Sequence, residues 1–233
     1  MCKTASIKIS VKKFKVKLVM FDLDGTVIDT APQIAEAMNL TLAELGLKRL
    51  LDSQIAGYIG NGAAALIKRC LTGDLHIEPD ARLFERAQTI YFAHYANNVR
   101  ESLPYKDVKA SLQAVKNKGF KMACVTNKPE KFTLPLLQTS GLLDFFELVV
   151  SGDSLPKKKP DPMQLQYICA KLGVLESQAI LVGDSNTDIA AARAAGCSIV
   201  TVPYGYNQGK PIVANTVDAI INDLSELTTI LTS

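Results

Sequence analysis

Residues 21 to 26, FDLDGT, set two carboxylates two positions apart directly after the apolar run VKLVM. In an extended chain that spacing sends Asp22 and Asp24 to the same side. Gly25 lets the backbone turn with no Cβ in the way, and Thr26 adds a hydroxyl. Three later stretches carry complementary groups: VTN, ending in Thr126 and Asn127; KKKPDP, with Lys159 directly before Pro160; and GDSNTD, with Asp184 and Asp188. Placed at the carboxyl ends of parallel strands, all of these converge on one crevice, where open α/β sheets bind ligands. Crowded carboxylates repel, so such a site is stable only around positive charge. A hard divalent ion meets that need, and Mg²⁺ suits a few carboxylates, water and a phosphate oxygen. With a lysine beside it, the set fits phosphoryl transfer, which runs on positioning and charge stabilisation.

Within that chemistry the two leading acids take separate tasks. Asp22, held by the metal, stays ionised and attacks phosphorus, forming an aspartyl phosphate. Asp24 protonates the leaving oxygen and later takes the proton of the attacking water. Thr126 and Lys159 join them as catalytic groups, and Thr26, Thr126, Asn127 and Lys159 are the expected substrate contacts. The expected metal ligands are Asp22, Asp24 and Asp184, with Asp188 as outer support or alternate ligand.

The elements needed to deliver these groups are visible in the pattern. KVKLVMF is a short β-rich run that fits a strand buried on both faces. A helix follows at once, with Thr30 as N-cap, Gln33 three residues on, Pro32 in its first turn and Gly46 as a stop. From there to about Leu103 the pattern is helical without a convincing strand. After Pro104 helices and strands alternate: a helix at 107–118, the strand FKMACVTN, a helix at 131–139, then FELVVSGD. A helix at 162–172, the strand AILVGDS, a helix at 188–195 and the strand SIVTVPYG complete the series. Such alternation implies a mainly parallel sheet with helices on both faces. The helical block is then an insertion after the first strand.

Blander roles compete for several of these residues. Asp22 and Asp24 could cap the helix after Thr30, although Thr30 already fills that role. Asp184 could form a turn, Asp188 could be the N-terminal acid of its helix, and Thr126 could merely end a strand. Lys159 has Lys157 and Lys158 beside it, and a charge triplet is ordinarily solvated. In GNGAAALIKR, Asn61 and Gly62 begin a helix whose N–H groups could hold an anion, or they simply begin a helix. Lys68 and Arg69 could meet a substrate carboxylate, though facing water is the simpler reading. His76 and His94 carry no metal-site spacing.

Bulk composition narrows the partners. The 233-residue chain is 48% hydrophobic and 21% charged, an ordinary globular composition. Its formal net charge of +3 comes from six lysines and no acids between Met1 and Lys17, so a basic tail precedes a slightly acidic body. No stacking aromatics interleave with those lysines, and nucleic acid is not expected as a partner. Five cysteines without paired spacing fit a reducing cytoplasm. No apolar segment is long enough for a bilayer, and no secretory h-region follows the N-terminal lysines. Monomer and homodimer are both compatible with the sequence.

The ordered set Asp22/Asp24/Thr26, Thr126, Lys159 and Gly183/Asp184/Asp188 resembles the haloacid dehalogenase superfamily, in its phosphatase branch. Asp-x-Asp-Gly-Thr alone is expected by chance in about one chain in a thousand of this length; the full order is far rarer. The resemblance covers essentially everything after the tail. It implies a Rossmann-like core at 16–30 and 104–233, an inserted all-helical cap at 31–103 and a basic tail at 1–15, with Mg²⁺ as cofactor. Asp24 argues against dehalogenating members, which lack the second aspartate, and against the phosphonate-cleaving branch, which has alanine there. Sugar-phosphate mutases keep both acids and are set aside by the absence of a recognisable mutase cap loop.

VGDSNTDIAAARAAGC and VPYGYN look most like phosphoglycolate phosphatases, implying hydrolysis of 2-phosphoglycolate to glycolate and phosphate. Near the cap exit the chain reads LPYKDV, where such relatives often carry a glycine before the valine. A sugar phosphate is the alternative substrate. A non-catalytic, phosphate-responsive binding protein is a more remote one, although receiver-type modules have neither the helical insert nor an acid two residues after the acceptor. The tail leaves disorder and an extra edge strand through SIKISV both open.

Overall fold

The computed structural model describes residues 12–232. Its strands are β1 (Phe14–Lys15), β2 (Leu18–Phe21), β3 (Ile28–Asp29), β4 (Leu103–Pro104), β5 (Lys121–Val125), β6 (Leu148–Val150), β7 (Ala179–Gly183), β8 (Ser198–Thr201), β9 (Ala219–Ile220) and β10 (Leu231–Thr232). The helices are α1 (Ala31–Glu44), α2 (Asp52–Ala56), α3 (Ala63–Thr72), α4 (Ala81–Asn98), α5 (Val108–Asn117), α6 (Glu130–Thr139), α7 (Met163–Leu172), α8 (Asn186–Ala195) and α9 (Leu227–Ile230). Six strands form one parallel sheet in the order β6-β5-β2-β7-β8-β9.

Alternation along the central strands divides the core in two. Leu18 and Met20 of β2, with Ala123, Val125 and Leu181, pack against Leu165 and Ile168 of α7 and Ile189 and Ala192 of α8. Val19 and Phe21, with Met122, Cys124, Ile180 and Val182, pack on the other face with Leu112 of α5 and Leu136 of α6. Both faces are covered, so β2 and β7 are buried at every position. The register then fixes the site. Phe21 pairs with Cys124 and Val182, so the residues just beyond these strands, including Asp22, Thr126 and Asp184, emerge along one edge.

Helices α1 to α4 lie between two crossings, β3 leading out and β4 leading back. These pair antiparallel, Ile28 with Pro104 and Asp29 with Leu103, and the ladder continues through Tyr105 N–H to the Val27 carbonyl at 3.2 Å. The cap's own apolar residues, such as Ile34, Met38, Leu66 and Tyr91, are continuous with one face of the core. Among the described residues no helix is long and apolar enough to cross a membrane.

Three local expectations are revised. Thr30 stands at the N-cap of α1, yet its side chain makes no capping bond and its buried hydroxyl has no partner among the described residues. The Tyr206 hydroxyl takes over, accepting from Thr30 N–H at 2.8 Å and Ala31 N–H at 2.9 Å. The tail is shorter than residues 1–15, because Phe14 and Lys15 pair with Leu231 and Thr232 and Phe14 is buried. The segment SIKISV lies outside the described residues.

The third revision concerns LPYKDV. Asp107 has φ +59°, a left-handed backbone that suits glycine and that Asp tolerates better than most residues. Glycine before the valine therefore answers a backbone requirement, and this chain meets it with aspartate at the start of α5. We expect Asp107→Gly to alter stability by less than about 0.5 kcal/mol, since relief of strain offsets the lost acid at a helix N-terminus. Asp107→Val should cost about 1–2 kcal/mol. Urea unfolding of both variants checks this; equal losses would contradict it.

Candidate active site

Lys159 is the centre of the strand-end cluster. Only 2% exposed, its ammonium lies 2.8 Å from Asp22 Oδ1 and 2.6 Å from Asp188 Oδ1, and it donates to the Val125 carbonyl at 2.9 Å. Asp22, Asp184 and Asp188 each bring an oxygen within 4.8 Å of the others. Lys158 by contrast is half-buried, and its side chain makes no hydrogen bond or ion pair among the described residues; Lys159 is the member of the triplet that enters the site.

Each carboxylate is held differently. Asp22 Oδ1 accepts from Leu23 N–H at 2.7 Å as well as from Lys159. Its Oδ2 has no partner among the described residues, and Asp22 lines the cavity beneath the cap. Asp188 Oδ2 accepts from the Ser185 hydroxyl at 2.6 Å and from the amides of Ser185 and Asp184. Ser185 in turn caps α8 in a reciprocal capping box with Asp188. Asp188 is thus the N-terminal acid of α8 through Oδ2, while its Oδ1 pairs with Lys159, a partner the sequence reading did not give it. Asp184 accepts from Thr26 Oγ1 at 3.1 Å and from Tyr206 N–H at 2.7 Å.

Burial raises Asp22 well above the ordinary carboxylate range, with Lys159 offsetting only part of it and Asp188 and Asp184 adding to it. Burial and the adjacent Asp188 push Asp184 up to about 7. For Lys159 burial acts downward, but Asp188 and Asp22 outweigh it and hold the ammonium raised. One lysine thus leaves an excess of buried negative charge. Close backbone approach makes the cluster this tight: a Cβ on Gly25, whose φ is +85°, would lie 2.5 Å from Asp184 Oδ2.

The cavity is roofed by α1, α3, α4 and the loop before α3. Asp22, Asp24, Thr126, Asn127 and Lys159 all line it, so the structure brings most of the expected residues together. Four expectations change. Asp24 stands outside the carboxylate group, with its Oδ1 2.8 Å from the ammonium of Lys128. Thr26 is fully buried and its hydroxyl serves Asp184 rather than the cavity. The Asn127 amide is spent on the carbonyls of Lys159, at 2.8 Å, and Gly60, at 3.4 Å, tying one strand-end loop to another and to the cap. Asn61 does not line the cavity. It bonds Thr187 at 3.0 Å and accepts from Arg69 and Gln208, which makes it a clasp between cap and core.

Other site residues escaped the sequence reading. Lys128 is buried one residue past Asn127, and its place after Thr-Asn at a strand end was the available signal. Gln164, fully buried in α7, accepts from Lys159 N–H at 3.0 Å and donates to the carbonyls of Thr126 and Ser151, clamping three loops. Tyr206 joins Asp184 to the cap's first helix and donates to Asp29 at 2.7 Å. Nothing local in the sequence marks Gln164, and VPYGYN, which contains Tyr206, gave no sign of that residue's role, because each acts on residues far away in the chain.

The model of the haloacid dehalogenase-like hydrolase family matches residues 19–202. The chain belongs to that family. This hydrolase is 48% identical over 218 residues to a phosphoglycolate phosphatase of Thiobacillus denitrificans, covering 93% of this chain and 96% of that one. It is 49% identical over 217 residues to one of Nitrosospira multiformis, with the same coverage. The crystal structure of a predicted phosphoglycolate phosphatase from Haemophilus somnus matches at 35% identity with a TM-score of 0.86, covering 93% of this chain and 98% of that one.

Two expectations follow for the hydrolase. Raised acids bind protons in the folded state that the unfolded chain has released, so the metal-free protein loses stability as pH rises from about 4 toward 7. A divalent cation favours the ionised acids. Mg²⁺ should therefore raise Tm more at pH 8 than at pH 5, and Asp184→Asn should flatten the slope seen in EDTA. Equal Mg²⁺ shifts at both pH values would contradict this. Separately, Tyr206→Phe orphans the Thr30 amide and leaves the Ala31 amide only its 3.4 Å bond to Asp29 Oδ1, and should lower stability by about 1–2 kcal/mol; chemical denaturation measures it.

Proposed function

We propose that this hydrolase is a divalent-metal-dependent phosphoric monoester hydrolase of a small phosphorylated acid, with 2-phosphoglycolate as the favoured substrate. The observation that carries the reading is Asp22: one oxygen anchored by Lys159 and a backbone amide, the other unpartnered in a cavity covered by the cap. The donor set fits a hard cation, being three carboxylates in one buried group whose negative charge exceeds that of the lysine beside them. Asp22 and Asp184 would hold it, with Asp188, whose oxygens take four donors against two for Asp184, as support. A bound Mg²⁺ would keep the acids ionised and offset charge on the phosphoryl oxygens.

The residues divide the remaining work. Asp22 Oδ2 attacks phosphorus; the Oδ2–P bond forms and the ester P–O bond breaks. The leaving oxygen takes a proton from Asp24, which later accepts one from the water that cleaves the aspartyl phosphate. Lys159 and Thr126 stabilise the transferred group, and Lys159 also fixes Asp22 in direction. Closure of the cap excludes bulk water, so these charges act in a weakly screened space.

Cavity size supports a short leaving group. At about 50 Å³ it is smaller than the 150 Å³ cavity that admits benzene. That favours a two-carbon acid over a hexose while the cap is closed. The cysteines among the described residues, Cys70, Cys124, Cys169 and Cys197, are buried and free, in keeping with a cytoplasmic setting.

Phosphate release from a panel of phosphorylated metabolites tests the reading. We expect kcat/KM for 2-phosphoglycolate to exceed that for hexose phosphates by at least about a hundredfold, with activity lost in EDTA. Asp22→Asn should lose at least about a thousandfold in kcat. Undiminished turnover in Asp22→Asn would reject the nucleophile, and hexose preference would reject the substrate.

A further inference from the structure

Two lysines line the cavity, and their surroundings differ. Lys159 is saturated by Asp22, Asp188 and the Val125 carbonyl. Lys128 meets a single carboxylate, Asp24 at 2.8 Å, and the hydroxyl of Tyr95 from the cap. Its ammonium also lies 4.7 Å from the centre of the Tyr95 ring. An ammonium has three N–H donors, and only two find acceptors among the described residues. The lysine is nonetheless 5% exposed, with Ile34, Leu66 and Phe92 also lining the cavity. A cation this desolvated and only partly satisfied is an unusual element in an otherwise apolar roof.

We propose that Lys128 is a specificity-determining residue that binds a carboxylate on the leaving group, next to the ester oxygen. The proposal rests on the phosphatase reading above and deepens it. Asp24, as the proton donor, must stand beside the ester oxygen, and Lys128 is one hydrogen bond beyond Asp24. A carboxylate on the carbon bearing the ester oxygen falls within the lysine's reach; a hydroxyl there offers no charge to pair with it. Because Lys128 is already out of water, pairing with a substrate anion adds little desolvation cost on the protein side. Tyr95 holds the ammonium from the cap side and Asp24 from the core, so one of its two polar contacts belongs to the cap.

The test compares matched acid and alcohol substrates in the Mg²⁺-loaded enzyme: 2-phosphoglycolate against 2-hydroxyethyl phosphate, and 2-phosphoglycerate against glycerol 2-phosphate. Wild type should prefer the acid of each pair it hydrolyses. In Lys128→Gln and Lys128→Met the acid-to-alcohol ratio of kcat/KM should fall at least about 30-fold, mainly through KM, while Lys128→Arg keeps most of it. Glycolate, and not ethylene glycol, should inhibit wild type, and that inhibition should weaken in Lys128→Met. Parallel losses on acid and alcohol would overturn the proposal and leave Lys128 as a support for Asp24; so would a wild type with no acid preference. If wild type ignores 2-phosphoglycolate but prefers the acid of the second pair, the substrate assignment fails and the role of Lys128 stands.

Discussion

The structure turns on one buried ammonium. Lys159 joins a nucleophile candidate at the end of β2 to an acid in the first turn of α8, two segments far apart in the chain. Leaving any of these charges without a partner in the interior would be costly. The surrounding construction serves that contact: parallel register levels the strand ends, Gln164 fixes the Lys159 backbone, and Ser185 turns Asp188 toward the lysine. A single positive charge does not balance the carboxylates, and burial first, with their mutual repulsion behind it, keeps Asp22 and Asp184 elevated.

The cap completes the electrostatics as well as the enclosure. Aromatic rings at its lower face, Phe92 and Tyr95, pack on Phe132 of α6 at 5.5 and 5.1 Å between centroids. Alongside this apolar seam run polar ties: Tyr95 to Lys128, Gly60 to Asn127, and Asn61 to Thr187. Most of the cavity wall contributed by the cap is apolar, so the few charges inside interact with little competition from water.

Sequence reasoning located what is encoded locally. The strand β2 and its acids, the alternation after Pro104 and the lysine before Pro160 follow from runs and periods of a few residues. It faltered where a side chain's partner is set by tertiary placement. Thr30 has the right chemistry for an N-cap, yet a tyrosine from the far end of the chain reaches the same amides. Thr26 and Asn127 have suitable donors, but Asp184 and the Lys159 and Gly60 carbonyls claim them first. β1, β9 and β10 are two-residue strands, too short to show a period. Asp107 shows the reverse: a departure from the family's pattern that becomes intelligible through a single dihedral angle.

Tyr206 contacts Asp184 through its amide and the opening turn of α1 through its phenol. The two contacts are spanned by one stiff ring and its backbone. A displacement of Asp184 is therefore passed through a single residue to the first turn of α1, where the cap begins.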